Sequence, residues 1–150
     1  MKHFKEVFAN QYTLDTHGAY IVSKELIQNV LHVLKHDDGY HFLVDMTAID
    51  YFTCKEKMLE RFAIVYLLRD THFKNLITIK TFIDASLATQ SITSLFKSAN
   101  WAEREIWDQY GISFKNHPNL KRILNHHEFV GHPLRKDYSI THHQTCKETE

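Results

Sequence analysis

The 150-residue sequence predicts an α+β fold: a two-layer sandwich of a mostly antiparallel sheet with helices on one face, plus an extended C-terminal arm. Three observations carry this reading. Three strand-like runs follow one another at short spacing, helical periodicity is confined to stretches before and after them, and the chain beyond Gly111 is rich in turns. A chain of this length can bury roughly two thirds of its unfolded surface, so one core is expected. Helices gathered on one face of an antiparallel sheet are a stable solution for that element order. The expected division is a core over 1–110, an arm over 111–138 and a polar tail over 139–150.

Residues 19–22 read as a short strand leading to Ser23, a good helix N-cap with Glu25 in the first turn. Leu26, Ile27, Val30, Leu31, Val33 and Leu34 recur at helical spacing up to Gly39, which predicts a helix with one buried face. Strands follow at 41–49, 61–69 and 76–83. In the second, Phe62, Ile64, Tyr66 and Leu68 occupy one side; in the third, Ile77, Ile79, Thr81 and Ile83 are β-branched at every second position. The connection over 70–75 suits an antiparallel neighbour and is too short for a helical crossover. Ser91 can cap a short helix that turns Ile92, Leu95 and Phe96 inward. Asn100 with Glu103 makes a capping-box-like start for another, which ends at Gly111 in the favoured C-cap position.

Composition excludes several classes. Lys plus Arg equals Asp plus Glu at 18 each, so nothing pulls the chain toward nucleic acid or an anionic bilayer. The beginning, MKHFKEVFANQY, lacks the apolar stretch of a secretory signal. The longest apolar run, 62–68, falls far short of the roughly 20 residues of a spanning helix, so the chain is expected to reach a membrane only by docking on a partner. Cys54 and Cys146 are far apart and belong to no CxxC motif, which points to reduced thiols. Two cysteines fall short of the four thiolates of an ordinary iron–sulfur cluster. The four glycines, Gly18, Gly39, Gly111 and Gly131, are too dispersed for a dinucleotide or phosphate loop. There is no Gly-x-Ser-x-Gly elbow, and Cys54 among charges reads as part of a soluble loop.

Residues 101–138 are the unusual stretch. They hold both tryptophans, both prolines and two of the four glycines, together with six Lys or Arg, five Asp or Glu and four His. Glu103, Arg104, Glu105 and Asp108 share a helix, with Arg104 and Asp108 four apart and able to pair. That pattern fits a salt-bridged face, a carboxylate site or a contact surface, but the Glu-x-x-His of metal-binding carboxylate helices is missing. His117, His126, His127 and His132, followed by His142 and His143, raise the alternative of a small zinc-dependent hydrolase, although neither a His-Glu-x-x-His helix nor paired cysteines are present. His117-Pro118 and His132-Pro133 suit rings presented from fixed turns. Arg135-Lys136-Asp137-Tyr138 can be an anion site or, since Arg and Tyr are enriched in hot spots, an interface anchor.

Glu103-Arg104-Glu105, Asp108, Gly111-Ile112, His117-Pro118, Arg122-Ile123-Leu124 and the run Gly131-His132-Pro133-Leu134-Arg135-Lys136-Asp137-Tyr138 closely resemble the signature of the 30 kDa subunit family of respiratory complex I, the C-type subunit of the bacterial NADH-quinone oxidoreductases. Leu43-Val44-Asp45 and Ile49-Asp50-Tyr51 extend the resemblance more loosely over 20–84. The chain departs from the pattern at Asn116, where the family has Gly, and at Gln109, where it has Met; only twelve residues follow Tyr138, which implies that the long C-terminal tail of many relatives is absent. The resemblance implies a structural and assembly subunit of a proton-translocating NADH:quinone oxidoreductase, with no catalytic residues and no cofactor of its own. The complex uses NADH, FMN, Fe-S clusters and quinone. The implied partners are the 49 kDa-type and cluster-bearing quinone-site subunits, on the cytoplasmic side of the bacterial inner membrane. The implied contact residues are Glu103, Arg104, Glu105, His117, Pro118, Arg122, His132, Pro133, Leu134, Arg135, Lys136, Asp137 and Tyr138. The equivalent subunit of a related membrane-bound hydrogenase is the alternative within the same class.

Overall fold

In the computed structural model, which describes residues 1–54, 60–139, 141 and 144, the sheet forms around its three long strands. His142, His143, Cys146 and most of the tail expected over 139–150 lie outside the described residues. The elements in chain order are α1 (Lys2–Val7), β1 (Tyr12–Leu14), β2 (Tyr20–Val22), α2 (Ile27–His36), β3 (Phe42–Asp50), β4 (Phe62–Arg69), β5 (Leu76–Ile83), β6 (Ala88–Gln90), α3 (Ala99–Tyr110) and β7 (Ser113–Lys115). Alternation in sequence becomes alternation in space. Phe62, Ile64, Tyr66 and Leu68 of β4, with Ile77, Ile79 and Ile83 of β5, enter one buried cluster with Ile27, Val30, Leu31 and Leu34 of α2 and Ile106 of α3. This is the expected α+β architecture.

Strands run in the order β1-β2-β5-β4-β3. The β3-β4-β5 meander is antiparallel as expected, but β2 adds to β5 in parallel, with Tyr20 opposite Ile79 and Val22 opposite Thr81. The sheet is therefore mixed. A second, two-stranded sheet pairs β6 with β7 in parallel and fastens the first residues past Gly111 to the core. Three residues on each side are too few to show a period, so these ribbons are not legible in the sequence.

Two caps differ from expectation. Ser23 does not cap α2: residues 24–26 make a turn closed by Leu26 N donating to Ser23 O at 3.2 Å, and the helix begins at Ile27 without a side-chain cap. The stretch after Ser91 is a set of turns rather than a helix, although Ile92 and Phe96 are buried as expected. The reason is non-local. The Ile92 amide donates to Glu103 Oε1 at 2.6 Å, so Glu103 serves the turn before α3 instead of closing a capping box with Asn100. Helix α1 has no sequence signal either, because its cap comes from far along the chain: Asp38 accepts from the amides of His3 and Phe4 at 3.1 and 2.8 Å and pairs with the terminal amine at 2.7 Å.

Candidate subunit interface

Helix α3 turns its apolar side inward through Ala99 and Ile106, yet Glu103, Arg104 and Asp108 are buried too. Burying charge is costly unless each polar atom finds a partner. For Asp108 and Arg104 the partners come from the arm. Oδ2 of Asp108 accepts the amides of Ile123, Leu124 and Asn125 at 3.0, 2.9 and 2.9 Å, while Oδ1 accepts Asn125 Nδ2 at 2.9 Å and Arg122 Nη1 at 2.5 Å. One carboxylate thus gathers five donors. Burial pushes its pKa up, but the Asn125 and Arg122 donors outweigh that and hold it well below the usual carboxylate range.

The helical spacing predicts that Arg104 pairs with Asp108 across a turn. Arg104 instead crosses to the arm, where Nε donates to Lys121 O at 3.1 Å and Nη2 to Arg122 O at 2.9 Å. Asp108 and Arg104 therefore clamp neighbouring residues of one arm segment. Arg122 completes the clamp: Nη2 donates to Gly131 O at 3.0 Å, and its guanidinium lies over both Trp107 (5.7 Å) and Phe129 (5.6 Å). Cation–π contact and the ion pair fix the same side chain.

The end of α3 is built for close approach. Gly111 is left-handed, with φ +75°, and its amide bonds Trp107 O at 2.8 Å. A Cβ there would lie 2.5 Å from Arg135 Nη2 and 2.6 Å from His132 Nε2. His132 Nδ1 lies 3.0 Å from Asp108 O, and Arg135 Nε donates to Tyr110 O at 2.5 Å, so both side chains cover the last carbonyls of the helix. Further along, Lys136 N donates to Asp50 Oδ2 at 2.9 Å, and Arg61 bridges Asp50 and Asp137. Burial of Asp50 works against ionisation, but Arg61 and the arm amide bring its pKa down to about 2. Arg61 and Asn125 escape sequence reasoning because each meets its partner over a long separation and belongs to no local motif; Asp50 stands in the Ile49-Asp50-Tyr51 stretch, but its role as a site residue comes only from the fold.

A second polar cluster sits beneath the start of the arm. The His117 ring is buried, with Nε2 3.1 Å from Asn100 O and Nδ1 accepting Asn119 N at 3.0 Å. Those contacts occupy both ring nitrogens. Glu103 Oε2 lies 4.0 Å from Nε2 and has no hydrogen-bond partner among the described residues. Burial raises Glu103 to about 7, against smaller opposing contributions from Ile92 N and Ser91. Tyr66, also buried with its hydroxyl unpartnered among the described residues, is pushed up by burial and by Glu103.

Of the anticipated contact residues, Glu103, Arg104 and the His117 ring face inward, Arg122, His132, Pro133, Arg135 and Tyr138 are half-buried, and Glu105, Pro118, Leu134, Lys136 and Asp137 are exposed. His126, His127 and Glu128 bring three possible ligand atoms within 4.8 Å, but all three are exposed on one surface turn.

The geometry is that of a small α+β module, in which internal ionic contacts hold an arm against one helix and leave large apolar side chains outside. The sequence pattern of the respiratory-chain NADH dehydrogenase 30 kDa subunit matches residues 20–144. The C-type subunit of the NADH-quinone oxidoreductase of Citrifermentans bemidjiense is 47% identical over 120 residues, covering 79% of this chain and 72% of that protein. Subunit 9 of the NADH-ubiquinone oxidoreductase of Reclinomonas americana is 42% identical over 114 residues, or 75% of this chain and 54% of that one. The NADH dehydrogenase [ubiquinone] iron-sulfur protein 3 of Beta trigyna is 43% identical over 102 residues, or 68% and 51%. The chain thus spans nearly three quarters of the first relative and about half of the others. Among solved structures, a trypsin-resistant fragment of Nqo5 superposes with a TM-score of 0.70 at 28% identity, covering 79% of this chain and 97% of the fragment. The chain of a membrane-bound sulfane sulfur reductase complex, at 21% identity and a TM-score of 0.75, shares the fold, over 93% of this chain and 84% of its own length. The protein belongs to the 30 kDa subunit family of the respiratory-chain NADH dehydrogenase.

Proposed function

We propose that the chain is a structural and assembly subunit in the hydrophilic arm of a proton-translocating NADH:quinone oxidoreductase. It docks against the 49 kDa-type and cluster-bearing quinone-site subunits and carries no electron itself. Electrons pass elsewhere in the complex, from NADH through FMN and Fe-S clusters to quinone. The donor set supports the passive role: two cysteines in the whole chain, one of them the exposed Cys54, do not match the four thiolates of an ordinary cluster. No helix of the described residues is long and apolar enough to cross a membrane, so attachment on the cytoplasmic face would run through partner subunits.

One observation carries the docking role. Trp101, Leu124, Val130 and Leu134 are 63, 64, 73 and 48% exposed, although α3 and the arm segment that bear them are fixed by the Asp108, Arg104 and Arg122 contacts. A rigid frame presenting large apolar groups to solvent is a preorganised interface, since little further ordering is lost on binding. Arg135, with one carbonyl on Nε and its face over Phe62 at 5.4 Å, supplies a cation beside that surface for a partner carboxylate.

The test is mild-detergent extraction of native membranes with this chain tagged, comparing the parent with Leu124→Asp/Val130→Asp. The parent should bring down the quinone-site subunits; the variant should lose most of them while keeping its own circular dichroism and melting temperature. Assembly by the variant at the parental level would overturn the interface. Iron, flavin or haem retained stoichiometrically by the purified chain would overturn the non-redox role.

A further inference from the structure

The opposite end of the sheet carries a separate, unclaimed feature. Register places Phe42, Arg69 and Leu76 side by side across β3, β4 and β5. Phe42 and Leu76 are 43 and 53% exposed, and Phe73, 57% exposed in the turn between β4 and β5, stacks on Phe42 at 4.9 Å. Phe73 has φ +56°, a left-handed conformation that a bulky side chain adopts only at a cost. The chain bears that cost to hold a phenyl ring out in solvent. Beside the stacked pair, Arg69 places its guanidinium 5.9 Å from the Phe73 ring; its Nε is buried with no hydrogen-bond partner, and it makes no ion pair with a described residue. The adjacent Asp70 is spent on the turn, accepting Lys74 N, Asn75 N and Asn75 Nδ2 at 2.9, 3.2 and 2.7 Å.

The neighbouring groove has the same sign. A cavity of about 480 Å³ between the start of β3 and the 94–98 turn is lined by Lys35, His41 and Lys97 and by no carboxylate. Among the described residues, the Lys35 ammonium meets the Leu95 carbonyl and the Phe96 ring, 5.1 Å away, and no carboxylate. Val44, exposed at the register break between Leu43 and Asp45, extends the apolar edge.

From this juxtaposition we infer that the Phe42–Arg69–Phe73–Leu76 corner is a second docking surface, which receives an acidic, apolar-flanked segment of another subunit, one carboxylate meeting Arg69. The occupant's charge follows from the cations left without carboxylates among the described residues, and its apolar flanks from the exposed Phe42–Phe73 pair and Leu76 beside Arg69. Aromatic and Arg side chains grouped in this way are the usual composition of an interface hot spot. The inference rests on the chain's place in a multisubunit complex, but not on the α3–arm surface. Asp50, at the far end of β3, binds the arm at Lys136, and the seven steps from Phe62 to Arg69 in β4 put that anchor about 23 Å from the corner at the usual rise of about 3.3 Å per residue.

The experiment uses the full chain in its native complex, with a benzoylphenylalanine photocrosslinker at position 73 and mass spectrometry of the linked peptide. Attachment to a segment of another subunit with Asp or Glu within a few residues is the expected result. Labelling of lipid alone, of a second copy of this chain, or of no polypeptide while the complex remains intact would overturn the inference. If the tagged chain co-purifies with no oxidoreductase subunits at all, the proposed function fails as well, so the two failures are distinguishable. Arg69→Glu should reduce assembled complex by roughly tenfold, the factor that corresponds to loss of one modest charge contact. Phe73→Asn, which tolerates the left-handed turn, should leave the melting temperature of the isolated chain equal or higher while lowering assembly. Parental assembly by both variants would also overturn it.

Discussion

Glu103 and Asp108 stand five residues apart on one helix, both buried, and their environments move them in opposite directions. Asp108 has more donors than a carboxylate needs, whereas Glu103 has one amide and an oxygen with no partner among the described residues. The linkage follows. The folded pKa of Glu103, about 7, lies above its unfolded value of 4.5, so the stability it contributes is complete below about 4.5 and is lost as pH rises through 7. Asp108 is depressed, so its contribution is present above 3.8 and is lost as pH falls below that value. Glu103→Gln should flatten the decline in stability between pH 4.5 and 7. It should also stabilise the chain at pH 8 by up to about 3 kcal/mol, since each pH unit between the unfolded and folded pKa corresponds to roughly 1.4 kcal/mol. Urea titrations at pH 5 and pH 8 would check it; a variant as pH-dependent as the parent would show that another group titrates. Asp108→Ala should cost about 3–5 kcal/mol, because Arg122 and three amides are left without their acceptor. The two acids are visible in the sequence as members of one motif. Their opposite roles are not, since Ile92, Asn125 and Arg122 reach them only in the fold.

At the scale of elements, the same contrast separates what is legible from what is not. Strands β3, β4 and β5 are eight or nine residues long, enough for period-two alternation to show, and their bounds fall within a residue of expectation. The six residues of α1 and the three of β1, β6 and β7 carry no readable period; they exist because Asp38 caps α1 and because β2, β6 and β7 pair with distant strands. The arm is legible as turn-rich, but its attachment is not. Many residues of 111–138 are exposed, yet the Asp108, Arg104 and Arg61 contacts bind the segment to the core, so arm and core share one set of charges. Gly111 is the joint. Gly111→Ala combines left-handed strain with a Cβ that displaces His132 and Arg135 from the end of α3, and should cost about 1–3 kcal/mol. Hydrogen exchange should report where that cost falls, with faster exchange at Ile123, Leu124 and Asn125 than in β4. Uniform acceleration throughout the sheet would mean that the arm is not an independent unit.

For the whole molecule, the decisive property is that the arm's anchor at Asp50 and the Phe42–Arg69–Phe73 corner lie at opposite ends of the same strands. The α3–arm surface is tied to β3 at Asp50, and the Phe42–Arg69–Phe73 corner lies where β3 begins and β4 ends. Between them runs the antiparallel β3-β4-β5 ladder, with Ile64, Tyr66 and Leu68 fully buried beneath it. The β4–β5 pairing is unbroken from Phe62 to Arg69 and its core is close-packed, so the strands hold their ends at a fixed separation. On the proposed docking, such a piece spaces two partners, and the two surfaces act independently because they share no side chain. Substitutions more than about 10 Å apart without common partners add to within a few tenths of a kcal/mol. The loss of assembled complex caused by Leu124→Asp should therefore multiply with that caused by Arg69→Glu when the two are combined. Quantitative blue-native gels of the parent, both single variants and the double variant would measure this. A double variant no worse than the poorer single one would show that both residues serve one interface, and the two-ended arrangement would have to be abandoned.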